Sequence, residues 1–315
     1  MKIAILDAKT LGDDIDLAGL ESLGEVVSYS ATAPNETAPR LAGVDCVIVN
    51  KVRIDASVLA AADRLKLVCV AATGYDNIHL DDMQKRGIAV CNVVGYSTHS
   101  VAQLTLSMAL SLAMHLSAYN RYVESGAYTQ SGVANCLVPV YHELAGKTWG
   151  IVGCGNIGRQ VASVAQAMGC HVIACKRTPD PQYTCVDIDT LCKQADVITV
   201  HTPLTPKTEN LISKERIAIM KPDAILINVA RGAVCDEAAL CEAILEGRLG
   251  GLGVDVYTKE PFPADSPYNR VMHKDNVCLT PHMAWGAYEA RNRCLQEICL
   301  NIESFNRGER RNRLV

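Results

Sequence analysis

The sequence predicts an α/β protein made of two doubly wound parallel-sheet domains. Three observations carry this. The chain has 315 residues, enough for two domains of roughly 100–200 residues each. Short apolar runs alternate with helix-patterned segments, as in βα units whose strands pair in parallel. The alternation breaks near Ser97 and restarts at Gly146, so there are two series.

In the first series, strands are expected at 2–6, 25–29, 46–50, 67–72 and 89–91, with helices near 15–23, 55–62 and 81–86. The stretch from Pro34 to Pro39 reads as a turn-rich loop. Residues 100–116 form a helical segment that is apolar on nearly all sides, as a buried helix is. Residues 119–143 hold Tyr119, Tyr122, Tyr128 and Tyr141 but little periodicity. They are too apolar for a free loop and read as a packing arm or subunit contact.

The second series opens on a strand at 148–152, followed by Gly153-Cys154-Gly155-Asn156-Ile157-Gly158 and a helix over 158–168. In a dinucleotide site Gly153 makes the tight turn, Gly155 admits the pyrophosphate, and Gly158 lets helix and strand pack closely. The helix start, with Asn156 and Ile157, turns its positive end to the phosphates. Further strands are expected at 171–175, 197–201, 224–229, 251–256 and 277–280, and helices at 188–193, 213–220 and 237–246. A last helix, 288–306, has no strand after it and is expected to pack on the first domain. The expected domains are 1–97 plus 285–315, and 98–284.

The composition excludes several function classes. A net charge of -4 gives no basic face for nucleic acid or an anionic membrane, and the basic tail at 307–313 reads as a solvated end. No run reaches the roughly 18 apolar residues of a membrane span, and the N-terminal run is too short for a signal peptide. The 14 cysteines include no Cys-x-x-Cys pair. Several, such as Cys46, Cys69, Cys170 and Cys278, lie in apolar runs, where a thiol is a small hydrophobe. That fits a reducing cytoplasm and no metal site.

Three polar stations follow strands of the second series: Asn228-Val229-Ala230-Arg231-Gly232, Asp255-Val256-Tyr257-Thr258-Lys259-Glu260-Pro261, and Thr280-Pro281-His282-Met283-Ala284-Trp285. Ligands of open α/β sheets lie beyond the strands' carboxyl ends, so all three point to the edge that holds Gly153–Gly158. An arginine can fork onto a carboxylate, a histidine can protonate an alkoxide formed by hydride addition, and a carboxylate can orient that histidine.

With these stations, the segments Ala71-Ala72-Thr73-Gly74-Tyr75-Asp76-Asn77 and His201-Thr202-Pro203-Leu204-Thr205-Pro206-Lys207-Thr208 make the chain resemble the D-isomer-specific 2-hydroxyacid dehydrogenases over essentially its whole length. Within that family, Asn50-Lys51-Val52, 95–97 through 101–103, and Pro281-His282-Met283-Ala284-Trp285 are most similar to the glycerate dehydrogenase (hydroxypyruvate reductase) branch.

The resemblance implies a flavodoxin-like substrate domain, completed by the C-terminal helix, and a Rossmann dinucleotide domain. It also implies a cleft that closes over substrate, and commonly a homodimer. It implies that Arg231 binds the substrate carboxylate and carbonyl, that His282 is the acid/base, and that Glu260 is its partner. The Thr73 and Gly74 amides, with Lys51 or Val52, would hold the substrate carboxylate from the first domain. Asp255 would meet the nicotinamide carboxamide, with Thr202, Pro203 and Thr208 toward the adenosine; Val101, Val229, Ala230 and Ala284 would complete the cofactor's surroundings. His201 is expected to be structural.

An NAD-preferring site places Asp or Glu roughly 20 residues past the glycines. Here that place holds Cys175-Lys176-Arg177-Thr178. Two cations and a hydroxyl suit a 2′-phosphate, so NAD(P)(H) is the expected cofactor, with NADP(H) favoured over NAD(H). The expected reaction is reduction of a small 2-keto acid, hydroxypyruvate or glyoxylate, to the D-2-hydroxy acid. The alternatives are a reductase of bulkier aromatic keto acids, such as phenylpyruvate or hydroxyphenylpyruvate, and a dinucleotide-sensing protein resembling a corepressor.

Overall fold

Two parallel sheets organise the chain, one in residues 1–97 with 286–315 and one in residues 98–285. The computed structural model describes residues 1–178 and 180–315. In the first unit the strands are Lys2–Ile5 (β1), Glu25–Ser28 (β2), Cys46–Val49 (β3), Leu67–Val70 (β4) and Ala89–Cys91 (β5). They are all parallel, in the order β2-β1-β3-β4-β5. This is the flavodoxin-like order, with its change of direction at β1 and β3. Every residue of β3 and β4 is buried, as continuous apolar strands covered on both faces must be.

The helices of this unit are Ala18–Glu21 (α1), Pro34–Leu41 (α2), Ala56–Leu59 (α3) and Leu80–Lys85 (α4). The expected loop at 34–39 is therefore a helix. Pro34 sits at its first position, where a missing N–H costs nothing, and the Glu36 carboxylate accepts the Ala33 amide at 2.9 Å. The two prolines mark a helix start and its last turn, not a loop.

The second unit opens with Thr98–Ala113 (α5), Leu116–Glu124 (α6) and Ala127–Ser131 (α7). The long helix expected to run to 116 stops earlier, because His115 turns left-handed at φ 51°. α5 lies on the sheet, with Met108 Sδ 3.2 Å from where a Cβ on Gly253 would stand. The poorly periodic 119–143 region is partly α6 and α7. Its tyrosines pair edge-on, Tyr119 with Tyr141 and Tyr122 with Tyr128.

The strands that follow are Thr148–Val152 (β6), His171–Cys175 (β7), Thr184–Cys185 (β8), Val197–Val200 (β9), Ile225–Asn228 (β10), Gly251–Val254 (β11) and Val277–Leu279 (β12). Between them run Asn156–Ala167 (α8), Ile188–Gln194 (α9), Lys214–Ala218 (α10) and Glu237–Leu245 (α11). The sheet is parallel, in the order β12-β11-β10-β9-β6-β7-β8, a Rossmann order extended by one strand. β8, two residues long, has no period to read in the sequence.

The last helix, Tyr288–Asn306 (α12), belongs to the first unit and packs on β4. The basic tail is not a solvated end. Leu314 N donates to Val90 O at 2.8 Å, Arg313 bridges Cys91 antiparallel, and Arg311 pairs with Glu297 at 2.7 Å. Backbone pairing thus fixes what its charges alone suggested was free. Among the described residues, no single helix is long and apolar enough to cross a membrane, and no cluster of His, Cys, Asp and Glu could hold a metal.

Candidate active site

The glycine turn is held between two strands at the point where the sheet changes direction. Gly153 has φ +89°, and a Cβ there would stand 2.7 Å from the Thr202 amide nitrogen. The loops after β6 and β9 therefore touch backbone to backbone. A Cβ on Gly158 would stand 2.6 Å from Gly153 O, whereas one on Gly155 would meet nothing within 4 Å. The turn is closed on its protein side and open on the other. Gly155 is the N-cap of α8 and supplies no side chain to bond its first-turn amides. Helix dipole and orphan N–H groups thus face the open side at Asn156 and Ile157, which fits a dinucleotide pyrophosphate.

Past β7, Lys176 is half-buried, while Arg177 and Thr178 are exposed. The first cation has a partner that no local pattern marks. Asp180 Oδ2 lies 3.2 Å from Lys176 Nζ and 2.7 Å from Arg159 Nη2, with Arg159 on the first turns of α8. The Gln182 amide and the two cations hold the Asp180 carboxyl below its ordinary range. Among the described residues, Arg159 and Lys176 share the Asp180 carboxylate, and Arg177 is exposed next along the chain.

The three polar stations follow β10, β11 and β12, which are neighbours in the sheet. Glu260 and His282 meet: Nδ1 of the ring is 2.7 Å from Oε2, and the other oxygen accepts the Tyr257 amide at 3.1 Å. Their side chains are 29% and 20% exposed, so the pair is sheltered yet reachable. His282 sits at φ 53°, a left-handed conformation that costs a non-glycine residue of order 1–3 kcal/mol.

Asp255 compensates for that strain. Fully buried, it accepts the Thr280 hydroxyl and the Met283 and Ala284 amides, the last two at 2.8 and 3.0 Å. Burial pushes its carboxyl up, against those three bonds and the nearby His282. The residue expected at the carboxamide therefore also fastens the loop that carries the histidine.

Arg231 follows β10, with Nη1 donating to Ala230 O at 2.8 Å. The next residue explains why this turn can lie so near Glu260. A Cβ on Gly232 would stand 2.1 Å from Thr258 N and Tyr257 C, so only glycine lets the two loops touch.

Other expected cofactor residues are less exposed to a ligand. Val101, Val229 and Ala284 are buried, and the Thr208 hydroxyl donates to Pro203 O at 2.6 Å, bracing the loop that holds Thr202 and Pro203. His201 lies between that loop and β9. Both its ring nitrogens are buried without a hydrogen-bond partner among the described residues, and burial pushes its pKa down to about 3.

In the first unit, Lys51 and Val52 follow β3, and Thr73 and Gly74 follow β4. Asp7, two residues past β1, is not marked by any local sequence period. Its carboxylate accepts the Asn50, Lys51 and Val52 amides, at 3.0, 2.6 and 3.1 Å. Asn77 Nδ2 donates to Val52 O at 2.8 Å, so the 50–52 loop is clamped on both sides. The Val52 amide is thus already engaged. The Thr73 and Gly74 amides, by contrast, donate to no protein group among the described residues, and the Thr73 hydroxyl and carbonyl are tied down by Val93 O and Asn92 Nδ2. A cavity of about 570 Å³ opens beyond β1–β3, lined in part by Lys9, Thr10, Thr32, Lys51 and Arg53.

Comparison with known proteins bears directly on this arrangement. A family model described as D-isomer specific 2-hydroxyacid dehydrogenase, NAD binding domain, matches residues 106–284. A hydroxypyruvate reductase of Blautia hydrogenotrophica is 35% identical over 98% of this chain and 98% of its own. A glycerate dehydrogenase of Methylorubrum extorquens is 35% identical over 99% of this chain and 98% of its own. Among solved structures, an acyclic imino acid reductase in complex with NADPH and D-Arg is similar at a TM-score of 0.86 and 28% identity, covering 100% of both chains.

Proposed function

The chain belongs to the D-isomer specific 2-hydroxyacid dehydrogenase family, and on that premise we propose that it reduces hydroxypyruvate, and glyoxylate with it, to the D-2-hydroxy acid. It is an oxidoreductase that uses a nicotinamide dinucleotide. The observation that carries the substrate chemistry is the 2.7 Å Glu260–His282 pair on the strand-end edge that also holds the open glycine turn.

When bound, the dinucleotide supplies the hydride. His282 gives its proton to the substrate oxygen as that oxygen becomes an alkoxide. Glu260 holds Nδ1, which fixes the ring's orientation, and its charge offsets that of the imidazolium. Arg231 takes the carboxylate in a planar fork and polarises the neighbouring carbonyl. In the first unit the open Thr73 and Gly74 amides are read as carboxylate donors, with Lys51 as a cation and Val52 as a wall. Asp255 spends three acceptor sites on the 280–284 loop, and an ionised carboxylate has about four, so one remains for a carboxamide N–H.

The preferred cofactor in this reading is NADP(H). No carboxylate stands at 176–178 to accept from ribose hydroxyls, and the three cations Arg159, Lys176 and Arg177 outweigh Asp180. The imino acid reductase above was solved with NADPH. Chains are read as pairing into a homodimer through the arm, where Leu137, Val138 and Val140 are 70%, 75% and 67% exposed. The cytoplasm suits the 14 free thiols.

The test is dinucleotide oxidation with a panel of 2-keto acids, run with NADPH and NADH. Turnover highest with hydroxypyruvate and NADPH is expected. A kcat/KM far higher with NADH contradicts the cofactor reading. Turnover confined to phenylpyruvate, or none with any keto acid, contradicts the substrate reading.

A further inference from the structure

The loop that carries Glu260 is not held by Glu260's own bonds alone. Glu237, the first residue of α11, reaches across to it: Oε1 accepts the Thr258 amide at 2.8 Å. Asp236 caps the same helix by accepting the Ala239 amide at 2.9 Å, so α11's start is fixed and Glu237 leaves it from a rigid base. The contact is short-range because Gly232, with no Cβ, lets the 231–232 turn lie against Tyr257 and Thr258. The next residues complete a chain of bonds. The Tyr257 amide donates to Glu260 Oε1, Glu260 Oε2 meets His282, and the Tyr257 hydroxyl donates to Thr280 O at 2.9 Å.

We propose that Glu237 is a positioning residue for the proton-transfer pair: it sets the place of Glu260 through the Thr258 amide and, as a second carboxylate behind Glu260, biases the pair toward keeping its proton. This rests on the assignment of Glu260 and His282 above and names a part of the machinery that assignment lacks.

The charge half follows from what surrounds the group. Glu237 is half-buried, and burial pushes its carboxyl up against its bonds from Thr258, with Asp236 and Glu260 adding repulsion. Among the described residues, the groups around it include Asp236, Cys235 and Cys241 on its own segment, Tyr257 and Glu260 on the loop after β11, and Tyr268 on the turn at 267–270, whose Arg270 acts on Cys241. A carboxylate in that setting makes a neighbouring negative charge costlier, which favours a proton on the Glu260–His282 pair.

Two substitutions separate the halves. Glu237→Gln keeps an acceptor oxygen for Thr258 and removes the charge. Glu237→Ala removes both. With hydroxypyruvate as substrate, Glu237→Gln is expected to keep kcat within about threefold at its optimum. The pH at which reduction falls to half should move down by about half a unit or more. Glu237→Ala is expected to lose about 10- to 100-fold in kcat, with dinucleotide Kd unchanged. A wild-type pH profile in Glu237→Gln together with wild-type kcat in Glu237→Ala overturns the proposal. If Glu237→Ala does not fold, an unmoved profile in Glu237→Gln overturns it alone. The His282 ring can also be titrated by NMR without substrate in wild type and Glu237→Gln. That reading shifts or stays whether or not hydroxypyruvate is the substrate, so a failed substrate assignment leaves the test standing.

Discussion

Two histidines stand just past the carboxyl ends of strands in the same sheet, His201 after β9 and His282 after β12. His282 has a carboxylate at 2.7 Å, a left-handed backbone, and a loop fastened by Asp255. The His201 backbone N–H donates to Val152 O at 2.7 Å, and the two ring nitrogens find no partner among the described residues. The position in the fold is equivalent; the difference lies in what the neighbouring loop brings. In the proposed reading, a strand end becomes a catalytic station when a second loop delivers a charge and a third holds the backbone in place. Without those, a histidine there is a buried, neutral filler.

The largest effect should come from removing the partnered ring. His282→Ala is expected to lower kcat about 10²- to 10⁴-fold while dinucleotide affinity, by fluorescence titration, is unchanged. Glu260→Gln sharpens the comparison by leaving His282 in place with a weaker partner. About a 10- to 100-fold loss in kcat is expected, with the pH profile for reduction moved to lower pH because the offsetting charge is gone. A Glu260→Gln profile that superposes on the wild type would mean the carboxylate is only a brace.

The smallest effect belongs to His201, and it is on stability. Its ring is pushed down to about 3 in the folded chain from an ordinary 6.5. The folded form therefore stays neutral while the unfolded chain takes up a proton below pH 6.5, so unfolding binds protons and stability falls as the pH drops from 6.5 toward 3. Above 6.5 the group contributes no pH dependence. The loss between pH 6.5 and 5 is roughly 2 kcal/mol. His201→Phe removes it without leaving a donor or acceptor unpaired. Its urea midpoint should decline less than the wild type's over that range; parallel curves would show that the ring is solvated.

The same contrast explains what was legible in the sequence. The strands were, because runs such as β3 and β4 are continuously apolar and cannot sit anywhere but inside. The form of the glycine turn and the meeting of Glu260 with His282 were, because residue type and order along the chain mark them. The second set of residues was not. Asp7, Asn77, Glu237 and Asp180 act across gaps of many residues or through one amide, and no local period marks them. A lone carboxylate closing an apolar strand, as in Ile3-Ala4-Ile5-Leu6-Asp7, was the one available sign. The helix at 34–41 was hidden by reading its prolines as breakers, and the tail's pairing with β5 by reading its charges as solvated.

Chemistry is what separates these two histidines. The most direct measurement is hydroxypyruvate reduction by His282→Ala and His201→Phe side by side at pH 7, with dinucleotide Kd taken on the same samples. His282→Ala is expected to lose at least about 100-fold in kcat and His201→Phe to stay within about threefold of the wild type, both binding the dinucleotide normally. Equal losses in the two, or full activity in His282→Ala, would contradict it.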